Sequence, residues 1–143
     1  MINFRLAQPV YLVPDILVGN LISRGLISKI IFGANGVDIK SGTFGHTAGH
    51  LTIADLAYLY HTPVFVLVDS FKFGAMDHRA DLEREINWIT GDKKLLQKLE
   101  GIQLFNPRQD KVKADRLFAL VTDYGIFPPN KIPDALRREA GVI

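Results

Sequence analysis

The 143 residues carry a net charge of +2, are 48% hydrophobic and 22% charged, and include no cysteine. One domain over residues 1–143 with a real core is expected, while disulfides, a thiolate nucleophile and zinc–thiolate centres are excluded, and the intermixed basic and acidic residues give no nucleic-acid footprint. No apolar run reaches the ~18 residues of a membrane span, and the first fifteen residues show no cleavage site after an apolar core, so a cytoplasmic protein with no membrane partner is expected.

In chain order, "PVYLV" at 9–13 reads as a buried strand. Asp15 is placed to cap a helix running to about Arg24, with Gly25 as its stop. "KIIFG" at 29–33 is a second strand. A helix is expected from about His46 to His61, with Ile53, Leu56, Ala57 and Tyr60 on one face. "PVFVLVDSF" at 63–71 has the near-continuous apolar character of a parallel strand covered on both faces. Residues 79–99 read as one or two short helices broken at Gly91; "GIQLFNP" and "RLFALVTDYGIFPP" supply further strands, or a strand with helical flanks. "PDALRREAGVI" is a docked helix or a frayed tail. Strands alternating with helices predict an α/β domain with a mostly parallel sheet and helices on both faces. Ligands of such sheets gather at the carboxyl ends of strands, which places residues 33–50 and 69–73 on the functional edge.

The stretch "GANGVDIKSGTFGHTAGH" at 33–50 is neither a Walker loop nor a GxGxxG fingerprint. Two readings stand. Its glycines simply permit a turn and close helix packing, or the backbone N–H groups at the helix start, helped by His46, Thr47 and His50, receive an anion. His46 and His50 stand four apart and could ligate a metal, but there is no HExxH context and only Asp55 as a distant third ligand. No metal and no cofactor are called for.

Taken in order, "VYLVPD", "KIIFGANGV", "HTAGHLTIADLAYLYHTPVFVLVDSFKFG" and "NPRQDKVKADRLFALVTDYGIFPP" resemble the C-terminal domain of the initiation-factor-2B alpha/beta/delta superfamily. That superfamily includes methylthioribose-1-phosphate and ribose-1,5-bisphosphate isomerases. The likeness covers about residues 6 to 133. "GANGV" stands at a Gly-Ala-Asp motif, "HTAGHLTIADLA" at an Asn-Lys-Ile-Gly-Thr motif before an alanine-rich helix, and "DSFKF" at the Glu-Ser/Thr-Tyr/Phe-Lys-Phe ending of the initiation-factor and ribose-bisphosphate branches. The resemblance implies a Rossmann-like three-layer domain, here lacking the family's first strand.

It also implies a site altered in its chemistry. The family's catalytic aspartate falls at Asn35, an amide that hydrogen-bonds a hydroxyl but cannot take up and return a proton. The second catalytic group, a cysteine, has no counterpart in these residues. The phosphate-binding Asn-Lys pair falls at His46 and Thr47, while Lys72 matches the family's lysine; a solvated lysine beside a core phenylalanine is the plain alternative. The candidate ligand-binding set is Gly33, Asn35, His46, Thr47, Gly49, His50, Asp69 and Lys72. The expected role is a non-catalytic subunit binding a phosphorylated sugar or a nucleotide. It would act as a homodimer or with a subunit supplying the missing N-terminal region. The alternatives are an aldose–ketose isomerase working with a separate N-terminal half, with His46 or His50 as base, and a translation initiation regulatory factor.

Overall fold

The computed structural model describes residues 10–75, 101 and 109–143. The fold is α/β, with mixed sheets and helices on both sides. Strands β1 (Ile30–Gly33), β4 (Val64–Leu67), β7 (Ala119–Thr122) and β8 (Gly125–Phe127) form one sheet in that order. The first three run parallel and β8 returns antiparallel to β7. A second sheet, in the order β5 (Phe73–Gly74), β2 (Gly36–Asp38), β3 (Phe44–Thr47), β6 (Gln109–Val112), stands past the carboxyl end of β1. It is antiparallel except for the β2–β5 pair. The helices are α1 (Val18–Ser23), α2 (His50–Leu59) and α3 (Asp134–Glu139).

Register explains which side chains are inside. Ile30 pairs with Val64, Phe32 with Val66, and Val66 with Leu120, so these residues share one face of the sheet and are buried. Ile22 of α1, Ala54 and Ala57 of α2 and Leu136 of α3 join the same cluster. The alternate positions stay more open: Ile31, Leu67 and Ile126 are 59%, 49% and 70% exposed. The 63–71 run is therefore a strand only over Val64–Leu67, and its two faces differ.

Three expectations need correction. Residues 10–13 form no strand; they are open to solvent, with Leu12 fully exposed at 100%. Their apolar pattern is right for a buried strand, but no described neighbour pairs with them. Asp15 does not cap through its side chain: Asp15–Leu17 is a single 3-10 turn entered from Pro14, and the helix proper is Val18–Ser23. It stops where expected, with Gly25 N–H donating to Ile22 O and Leu26 N–H to Leu21 O. The third correction is that His46 and Thr47 lie on β3, not on the helix, which begins at His50.

The glycine-rich stretch is thus mostly a β-hairpin. Asp38 Oδ1 accepts the N–H groups of Lys40 and Ser41 at 3.1 and 2.8 Å, closing the turn between β2 and β3. Gly42 follows with φ of +69°, and a Cβ there would sit 2.2 Å from Pro129 O. Residues 113–127 give a 3-10 turn (Ala114–Arg116) and the β7–β8 hairpin, and the C-terminal helix is docked through buried Leu136. Arg116 ties that turn to α2 by pairing with Asp55 at 2.7 Å and lying 4.3 Å from the centre of the Tyr58 ring. The helices expected over 79–99 and the strand at 101–107 lie outside the described residues, Gly101 aside. Among the described residues no helix is long and apolar enough to cross a membrane.

Candidate functional site

The carboxyl end of β1 is where the candidate residues meet. β1 ends at Gly33, and the Asn35 N–H donates to Gly45 O at 2.9 Å, joining the strand's exit to the β2–β3 hairpin. The small residue at 33 leaves room for a ring above it: His46 Nε2 is 3.7 Å from the place a Cβ would occupy. Lys72 closes the other side, its Nζ donating to Ala34 O at 3.0 Å. A groove of about 570 Å³ opens here, lined by Asn35, Gly36, Gly45, Lys72, Gly74 and Gln109 together with Phe71, which is otherwise exposed.

His46 and His50 are neighbours, but not by helical spacing. β3 runs into α2 through a tight corner at Gly49, whose φ is +110°. That corner brings the two rings to 3.9 Å between centroids, tilted by 34°. His50 also meets the Phe32 ring edge-on at 4.7 Å. Both histidines are half-buried. The His46 imidazole is held below its ordinary 6.5, first because burial disfavours the cation, then because His50 and Lys72 add like charge nearby.

The start of α2 does not offer the free anion site expected of it. Asp110, arriving from β6, accepts the N–H groups of Gly49 at 2.7 Å and Leu51 at 3.0 Å through Oδ2. A carboxylate of the chain itself therefore occupies the donors that a phosphate would take. Asp110 was not among the expected residues. Its signal is the antiparallel register that sets it opposite His46, which depends on a strand pairing 61 residues away in sequence from Gly49.

The structure thus sets Asn35 and Lys72 along the groove, and His46 and His50 against each other beside Gly33, outside the residues that line it. Thr47 is turned inward on the pair, its hydroxyl 2.9 Å from His46 Nδ1, and Gly49 serves as the corner. Asp69 stands apart, in a separate recess with Asp123 at the ends of β4 and β7; its carbonyl accepts the Lys72 N–H at 3.0 Å. Among the described residues no group of three or more histidines and carboxylates could hold a metal ion.

The parallel strands with helices on both sides define an α/β domain, and polar and basic groups collect at the carboxyl end of β1. The sequence profile of the Initiation factor 2 subunit family matches residues 7–129. The chain belongs to that family. It is 30% identical over 129 residues to a putative methylthioribose-1-phosphate isomerase of Methanocaldococcus jannaschii, covering 86% of this chain and 38% of that protein. It is 25% identical over 125 residues to the translation initiation factor eIF2B subunit delta of Dictyostelium discoideum, covering 78% and 20%. Among solved structures, the 5-methylthioribose 1-phosphate isomerase of Pyrococcus horikoshii superposes with a TM-score of 0.71 at 20% identity, over 94% of this chain and 38% of that one. The fold is Rossmann-like, as in that structure. The chain thus spans about two fifths or less of these relatives.

Proposed function

We propose that this chain is an initiation-factor-2B-like binding and assembly subunit that holds a phosphorylated sugar or a nucleotide at the carboxyl end of β1. In this reading it does not perform the aldose–ketose conversion itself. The observation that carries it is Asn35, which stands where the family resemblance implies the catalytic aspartate and lines the groove beside Lys72. An amide there can hold a sugar hydroxyl, but it cannot shuttle the proton that isomerisation requires. Lys72 supplies the cation for the ligand. The assembly role is supported by β1, which borders its sheet among the described strands, and by the exposed Ile31 and Val10–Leu12. An open parallel edge beside apolar surface calls for a cover, either a second copy of the chain or another subunit.

The test is thermal unfolding with ribose 1,5-bisphosphate, methylthioribose 1-phosphate, AMP and inorganic phosphate. A compound at 100 times its Kd adds about 2.7 kcal/mol, roughly 5–10 °C for a chain of this size. The expected result is a rise with a phosphorylated compound that Lys72→Ala removes, without ketose formation. Ketose formation by the wild type, abolished by Asn35→Ala, would replace the binding reading with the isomerase one, which the names of the archaeal relatives favour.

A further inference from the structure

The groove beside β1 is unevenly furnished. Among the described residues that line it, Lys72 is the one charged side chain. Its Nζ engages Ala34 O with one of three donors, which leaves two for a ligand. Phe71, on the same wall, is the one large apolar side chain of the lining that stands open; Val37 and Phe73 are buried. Its ring is 76% exposed, and the ring centroid lies 5.9 Å from Lys72 Nζ.

The chain fixes this ring in place. Phe71 is the middle residue of the 3-10 turn Ser70–Lys72. The Ser70 N–H donates to Asp123 Oδ1 at 2.9 Å, the Lys72 N–H to Asp69 O at 3.0 Å, and the Lys72 side chain to Ala34 O at 3.0 Å. A ring anchored in this way loses little freedom when a ligand covers it. Gly36 and Gly45, paired across β2 and β3, line the groove without side chains, and a Cβ on Gly74 would meet nothing within 4 Å. Much of the wall is thus main chain, which a flat ligand can approach closely.

These features describe a ligand with one anionic end and one flat, apolar end. A sugar bisphosphate fits poorly, because its second phosphate would find no second cation in the lining and would lie near an apolar ring. A nucleobase fits well: every base has a π-face to lay on an aromatic side chain, and a pentose spans the short distance from base to phosphate. A thioether is smaller and would leave most of the ring in water. We infer that the groove selects a nucleotide, with its phosphate on Lys72 and its base stacked on Phe71. This rests on the proposal that the groove binds a phosphorylated compound, and it names the class of that compound.

The test compares AMP with ribose 5-phosphate, which lacks the base, by titration calorimetry on the whole chain. Stacking one base on an aromatic side chain is worth about 5- to 150-fold in affinity, so AMP should bind tighter by that factor. Phe71→Ala should erase the difference while ribose 5-phosphate binds as before, and Phe71→Tyr should keep it. An unchanged Tm is expected for both variants, since the side chain is exposed. Lys72→Ala should weaken both ligands. Equal affinity for the two ligands, or a preference for AMP that survives Phe71→Ala, would overturn the stacking while leaving the binding reading intact. Tighter binding of methylthioribose 1-phosphate than of AMP would do the same and assign the ring to the thioether. No binding of any of the three would overturn both.

Discussion

Gly42→Ala offers a direct measurement of how tightly the β2–β3 hairpin is seated. The residue has a φ of +69°, and an added Cβ would lie 2.2 Å from Pro129 O, 2.9 Å from Pro129 C and 3.2 Å from Pro129 Cβ. The left-handed backbone costs an L residue about 1 kcal/mol. The clash with main-chain atoms must be relieved by moving the hairpin or the Pro128–Pro129 segment, which adds about 1–3 kcal/mol in a packed region. Taken together, the loss is about 3 kcal/mol. With an unfolding entropy of ~2.1 cal/mol/K per residue, each kcal/mol moves Tm by about 3 °C, so a fall of roughly 10 °C is expected by calorimetry. Gly25→Ala is the control. Its φ is +67° and nothing lies within 4 Å of its added Cβ, so it should lose only the conformational part, about 3 °C. Equal Tm changes in the two variants would refute the steric argument, because they share the backbone penalty and differ only in Pro129.

Asp110→Ala removes the carboxylate that receives two N–H groups at the start of α2. A loss of about 1–2 kcal/mol is expected in urea unfolding, smaller for Asp110→Asn, which keeps one acceptor oxygen; no loss would mean the contact is incidental. His61 closes α2 with a φ of +55°, where its N–H donates to Tyr58 O and the Thr62 N–H to Ala57 O. His61→Gly should therefore gain about 0.5–1 kcal/mol, seen as a rise of a few degrees in Tm. The depressed His46 value fixes a sign with pH: the unfolded chain binds the proton more readily, so the stability this group contributes is present above about 6.5 and declines as pH falls below it. His46→Gln should flatten that part of the stability–pH curve, and an unchanged slope would show that another group causes it.

The parts of the fold legible in the sequence are those set by short-range physics. β1 and β4 announce themselves as apolar, β-branched runs, and α1 stops at Gly25 because the last carbonyls of the helix are met by the turn that follows. The 10–13 run shows the limit of such reasoning. Its pattern states what the residues would do beside a partner, and being a strand is a property of two paired segments rather than one. The hairpin of β2 and β3 escaped for another reason: strands of three and four residues, rich in glycine, carry too little alternation to register as a period. Of the candidate residues, Asn35 and Lys72 share the groove, while the histidines meet beside it across a strand–helix corner that helical spacing happened to imitate. Asp110 was out of reach because its role depends on a pairing between distant parts of the chain.

That distant pairing makes the site a late arrival in the life of the molecule. β6 enters the second sheet beside β3 only after residue 112 exists, more than sixty residues behind the hairpin it joins. Until then the first turn of α2 has no acceptor for the Gly49 and Leu51 N–H groups, and closing so long a loop is a slow, entropically costly step. On a ribosome the hairpin and α2 would emerge first and remain unfinished. The corner that holds the two histidines would be completed only when β6 docks, so a nascent or clipped polypeptide could not reproduce the finished arrangement.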